Sequence, residues 1–183
     1  MEKLFTKKNI LTIPNFLSLL RILMIPIIVW LYLVEKNPRA ASAVIILSGL
    51  TDIADGIIAR KYNMVSDLGK ILDPIADKLT QVVLIVSLSL TYKKMLWFVA
   101  LFAIKESIVA LLGYITLRNT DSVNSAKWYG KLCTFVLYAS MVAIILFDLP
   151  NGAVNALIVL CSAVLCLSLV MYTRFYIKVL CDK

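Results

Sequence analysis

The sequence predicts an all-α integral membrane protein: six transmembrane helices in one bundle, a single domain over residues 1–183, with both termini in the cytoplasm. Three observations predict it. The 183 residues are 61% hydrophobic with a mean hydropathy of +0.90, whereas soluble chains are about 45–50% apolar. Charged residues make up only 16%, against about 25% in a soluble domain. The apolar residues also gather into six runs, each close to the ~20 residues that cross a bilayer.

Taken in order, the runs are 16–34, 40–60, 70–91, 95–117, 129–147 and 152–174. Polar breakers separate them: Glu35 to Arg39, Lys61 to Gly69, Tyr92-Lys93-Lys94, Arg118 to Lys127, and Asp148 to Asn151. The first run follows Lys3, Lys7 and Lys8. It is longer than the apolar part of a signal peptide and no small-residue cleavage pattern follows, so a retained span is expected. Carboxylates interrupt the second and third runs. Tyr and Trp at the span ends, such as Trp30, Tyr92, Trp97 and Trp128, suit the membrane interface.

Loop lysines and arginines orient the spans. Thirteen fall on the side of the termini and four on the other, at Lys36, Arg39, Lys93 and Lys94. That ratio predicts a multi-pass protein of the cytoplasmic membrane with cytoplasmic termini. The net charge of +8 then faces anionic lipid, and no nucleic-acid partner is expected, because the basic residues lack interleaved exposed aromatics. With no histidine, a Ser-His-Asp triad and a His-ligated zinc are excluded. Cys133, Cys161, Cys166 and Cys181 form no CxxC pair and read as small apolar residues.

Of eleven acidic residues, five lie between positions 52 and 77. An Asp at the bilayer centre costs about 2.5–3.5 kcal/mol on insertion scales, so several together require compensation. Asp52 and Asp55, three apart, share a helix face; so do Asp73 and Asp77, four apart. The short connection from Lys61 to Leu68 makes the two helices antiparallel neighbours whose acidic faces can converge near the cytoplasmic edge. An all-oxygen donor set selects hard dications such as Mg²⁺ or Mn²⁺, and two of them would balance four carboxylates. Pairing with Arg60, Lys70 and Lys78 in a solvated vestibule is the plainer alternative. Gly56 and Ala59 leave a slot beside Asp55 for a planar or phosphorylated ligand. Pro74 predicts that the third helix starts or bends there.

Asp52-x-x-Asp55-Gly56-x-x-Ala59-Arg60, eight residues, then Gly69-x-x-x-Asp73-x-x-x-Asp77 resembles the complete signature of the CDP-alcohol phosphotransferases. The six-span layout resembles that family along the whole chain. The resemblance implies a membrane enzyme that moves a phosphatidyl or other phosphoalcohol group from a CDP-linked donor to a hydroxyl, releasing CMP. It implies two Mg²⁺ or Mn²⁺ ions on Asp52, Asp55, Asp73 and Asp77, with Asp77 also the catalytic base. Gly56, Ala59, Arg60, Ser66 and Gly69 would line the CDP pocket with Asp52, and Pro14 and Asn15 match an element that contributes to donor binding. A homodimer is implied by the family alone.

Three elements resemble bacterial enzymes that join CDP-diacylglycerol to glycerol 3-phosphate: Ile13-Pro14-Asn15-x-x-Ser18-x-x-Arg21, Lys105-Glu106 with Arg118, and Gly130-Lys131-x-x-Thr134. Lys105 stands where those enzymes carry Arg and cannot make the same bidentate contact. Arg21, Lys105, Arg118, Lys131 and Arg174 are the candidates for the acceptor phosphate, although positive-inside topology alone accounts for any one of the loop residues. Other acceptors of the same chemistry remain open: phosphatidylglycerol, as in a cardiolipin synthase, or serine or inositol phosphate. A cation or proton transporter, from a different class, would place its acids at mid-membrane in inverted repeats. Here they cluster at one edge in one half of the chain.

Overall fold

A computed structural model describes residues 12–62, 69–120, 127–147 and 149–181. Its elements are helices α1 (Ile13–Val29), α2 (Pro38–Lys61), α3 (Gly69–Thr91), α4 (Met95–Thr120), α5 (Trp128–Leu146) and α6 (Asn151–Cys181). A π-helical turn, Trp30–Val34, carries α1 on to Val34. All six are long and apolar enough to cross a membrane.

Local chemistry explains the boundaries. The side chain of Thr12 caps α1 by accepting from the Asn15 N–H, and Pro14 occupies the first turn, where its missing N–H does no harm. The helix therefore begins three residues before the apolar run that predicts it. Lys36, at φ 50°, turns the chain, and Asn37 caps α2 by accepting from Ala40 N–H at 3.1 Å. At the other end, α6 runs seven residues past the predicted 174. Tyr176, in that extension, is buried, so packing continues where apolar patterning fades. The start of α3 at Gly69 leaves Pro74 inside the helix, which corrects the alternative of a start at Pro74.

The chain divides into two compact units, residues 1–87 and 88–183, with the division falling inside α3. In the first, α1 packs against α2. Its interior includes Met24, Ile28, Ala41, Ile45, Leu84 and Ile85. In the second, α6 packs against both α4 and α5, burying Phe102, Cys133, Leu137, Met141, Cys161 and Leu165. Large apolar side chains such as Phe16, Leu23, Leu50 and Phe135 point outward, as a surface immersed in lipid requires. The four cysteines are free.

Aromatic residues lock one end of the second unit. Tyr129 and Tyr172 meet edge-to-face with centroids 4.6 Å apart, and Tyr172 stacks toward Tyr176 at 6.2 Å. The ring of Tyr172 crosses α5 at Gly130. A Cβ there would sit 3.1 Å from its Cζ and 3.2 Å from its Cε2, with the hydroxyl closer still. Replacing Gly by Ala in a helix normally gains up to about 1 kcal/mol, while overpacking costs about 1–3 kcal/mol. The clash involves a ring already held between helices, so it wins. Gly130→Ala is expected to lower the unfolding temperature in detergent, and adding Tyr172→Leu to recover part of the loss.

Candidate active site

The first unit assembles a polar cluster from three helices. On α1, Pro14, Asn15, Ser18 and Arg21 recur at helical spacing and so share one face. All four are buried, while Phe16, Leu19 and Leu23 face outward. The helix is thus amphipathic in the inverted sense, polar inward and apolar outward. Asp52 and Asp55 lie in the second half of α2, and Asp73 and Asp77 in the first half of α3, so both pairs occupy the halves that lead to residues 63–68.

Arg21 is only 2% exposed, and a buried charge is tolerable only when paired. Its NH2 donates to Asp55 Oδ2 at 2.5 Å, and its NH1 lies 2.5 Å from Asp52 Oδ1, although not aligned for a hydrogen bond. Asp55 is almost fully buried, whereas the Asp52 side chain is 47% exposed. Across to α3, the Ser18 hydroxyl donates to Asp73. The Pro14 carbonyl lies 3.0 Å from the same hydroxyl, so one proton faces two acceptors. Gln81, fully buried one turn beyond Asp77, donates from Nε2 to Asp77 Oδ2 at 2.9 Å. The charges of Asp73 and Asp77 act on Asp52, and those of Asp52 and Asp73 act on Asp55.

The sequence predicted the pairing of acidic faces on α2 and α3. The structure adds α1, which reaches both through Arg21 and Ser18. Ser18 and Gln81 were not predicted as site residues. Their signal is present in the sequence as polar residues at helical spacing from Asn15 and Asp77 within otherwise apolar spans. Arg21, a predicted candidate for the acceptor phosphate, bridges Asp52 and Asp55, as a buried guanidinium needs carboxylate partners.

Among the described residues, no three acidic or cysteine side chains are gathered closely enough to hold a metal ion. The cation facing Asp52 and Asp55 is the guanidinium of Arg21. The donor chemistry nevertheless suits a hard dication: four carboxylates, no nitrogen or sulfur ligand, and a need for positive charge at Asp55 that the protein meets with a buried arginine.

Of the predicted donor-pocket residues, Pro14 and Asn15 are buried in the first turn of α1, and Gly69, also buried, opens α3. At Gly56 a Cβ would meet nothing within 4 Å, so open space adjoins the backbone one residue from Asp55. Ala59 and Arg60 belong to the final turn of α2. Ser66 lies outside the described residues.

The second unit holds the remaining cationic candidates. Lys105 is buried: its Nζ pairs with Glu106 Oε1 at 2.6 Å and stands 5.9 Å from the Tyr172 ring centroid. Arg118, Lys131 and Arg174 are exposed. Contacts of Gly113 with Tyr176, Gly130 with Tyr172 and Lys127 with Phe175 bring the end of α4, the start of α5 and the late turns of α6 together. These three basic residues therefore share one end of that unit.

The sequence profile of the family described as CDP-alcohol phosphatidyltransferase matches residues 11–172. The chain is 33% identical over 147 residues to a protein named cardiolipin synthase (CMP-forming) from Streptomyces coelicolor, covering 76% of this chain and 67% of that one. It is 32% identical over 167 residues to a Mycobacterium tuberculosis protein named "Probable phosphatidylglycerophosphate synthase", covering 87% and 78%. Over 69 residues it is 44% identical to a CDP-diacylglycerol–glycerol-3-phosphate 3-phosphatidyltransferase of Rickettsia typhi, covering 37% and 39%. The chain spans about two thirds of the length of the cardiolipin synthases it matches.

The Ser18–Asp73 contact carries a prediction. A hydrogen bond to a charged group contributes about 1.5–3 kcal/mol, and partial exposure of Asp73 places this one at the low end. Ser18→Ala is expected to lower stability by about 1–2 kcal/mol, read as a fall in unfolding temperature.

Proposed function

The chain belongs to the CDP-alcohol phosphatidyltransferase family, and from that premise we propose that it moves the phosphatidyl group of CDP-diacylglycerol to glycerol 3-phosphate, giving phosphatidylglycerophosphate and CMP. The observation that carries this reading is the geometry of the acids, Asp52 and Asp55 gathered on Arg21 and Asp73 tied to the same helix α1 through Ser18, within the stretch that the family profile covers. Glycerol 3-phosphate as acceptor is supported by Ile13-Pro14-Asn15-x-x-Ser18, by Gly130-Lys131-x-x-Thr134, and by the two relatives named for that product or reaction.

In the proposed reaction the acceptor hydroxyl attacks the lipid-linked phosphorus of the donor pyrophosphate. The bond from that phosphorus to the CMP oxygen breaks, and CMP leaves with the electron pair. Asp77 takes the hydroxyl proton, its carboxylate held by Gln81. Such a base contributes about 10²–10⁴-fold. Asp52, Asp55, Asp73 and Asp77 would hold two dications, Mg²⁺ or Mn²⁺, which supply charge stabilisation to the phosphates when bound. The open space beside Gly56 lets a nucleotide approach the α2 backbone, near the buried Pro14 and Asn15. Arg118, Lys131 and Arg174, as exposed cations, take the acceptor phosphate. The excess of basic residues on one side of the spans supports a cytoplasmic-membrane enzyme with its site toward the cytoplasm, and a homodimer belongs to the same proposal.

A second reading, cardiolipin synthesis with phosphatidylglycerol as acceptor, is favoured by the Streptomyces relative. An acceptor panel separates the two. Purified protein with CDP-diacylglycerol and Mn²⁺ is expected to release CMP with glycerol 3-phosphate. Release only with phosphatidylglycerol would transfer the assignment to the second reading, and release only with serine or an inositol phosphate would overturn both.

Two variants test the roles. Asp77→Asn is expected to reduce turnover by 10²-fold or more while CDP-diacylglycerol still binds, whereas Asp52→Asn is expected to lose Mn²⁺ and donor binding together. Lys131→Ala is expected to raise KM for glycerol 3-phosphate with little change in kcat, as steady-state kinetics would show.

A further inference from the structure

Among the described residues Arg21 is the largest fully buried side chain, and it is a cation. It stands on an otherwise apolar helix and spends two of its three nitrogens on Asp52 and Asp55, 2.5 Å from each. Its Nε has no hydrogen-bond partner among the described residues. A guanidinium can bridge two carboxylates because its nitrogens form a planar fork, which an ammonium lacks. Those two carboxylates are also the ones the functional reading assigns to dications. A guanidinium and a dication compete for the same oxygens, since each needs the carboxylate lone pairs and each repels the other.

We propose that Arg21 is a positioning residue, an internal counter-cation that holds Asp52 and Asp55 together before metal arrives and must withdraw from at least one of them when a dication binds. The inference rests on the functional reading for the metal itself and adds a role for Arg21 other than phosphate contact. Arg21 stabilises the metal-free protein and lowers its metal affinity. Burial of the guanidinium makes the exchange steep: leaving a carboxylate returns a charge to an apolar interior unless the ligand receives it.

The test uses the full chain in detergent micelles, with Mn²⁺ as probe, comparing wild type, Arg21→Gln, Arg21→Lys and Asp52→Asn. Mn²⁺ affinity comes from titration calorimetry or electron paramagnetic resonance, and unfolding temperature is measured in chelator and in Mn²⁺. Arg21→Gln is expected to bind Mn²⁺ roughly tenfold tighter. Its unfolding temperature should fall in chelator and its stabilisation by Mn²⁺ should widen. Arg21→Lys, which keeps the charge without the fork, should fall between. If wild type binds Mn²⁺ and Asp52→Asn does not, but both Arg21 variants bind as wild type or more weakly, the counter-cation role is overturned while the metal reading stands. If neither wild type nor any variant binds Mn²⁺, the metal reading fails and the role falls with it.

Discussion

The first unit depends on one constraint: charge placed inside apolar helices must be matched by charge of the opposite sign. Asp55 is buried on α2 and Arg21 is buried on α1. Losing one member of a buried pair costs about 3–5 kcal/mol, because the other is left uncompensated. That penalty holds α1 against α2 in one register, since sliding by a turn would strand both charges. It also sets the facing of α1, whose polar residues turn inward while Phe16 and Leu23 turn outward. The apolar core around Ile28, Ala41 and Ile45 follows from that choice of face.

The same constraint makes a chemical site of the region. The charges of Asp73 and Asp77 reach Asp52, and those of Asp52 and Asp73 reach Asp55, so the region is suited to ligands that bring positive charge. Ser18 and Gln81 hold Asp73 and Asp77 by hydrogen bonds from neutral donors, which orient a carboxylate without cancelling its charge.

The second unit is built differently. Among its described residues Lys105 is matched by its neighbour Glu106 and by the face of Tyr172, and aromatic rings fasten the helices at one end. A close approach at Gly130 lets Tyr172 reach across α5. The exposed cations at that end are left to solvent and ligands.

Six apolar runs, the helical spacing of Asp52 with Asp55 and of Asp73 with Asp77, and the signature around them were legible in the sequence because each depends only on local pattern: hydropathy over some twenty residues, or three- and four-residue periodicity. Helix ends were less legible. Thr12 begins α1 through a single cap hydrogen bond, and α6 persists past residue 174 because Tyr176 packs, neither of which hydropathy records. Partner choice was legible only where the partner is the next residue: Lys105 adjoins Glu106 in sequence and pairs with it, whereas Arg21 has no acidic neighbour on its own span and joins two helices. Only the tertiary structure decides the second case, because the energy of a buried charge depends on which opposite charge the packing brings within reach.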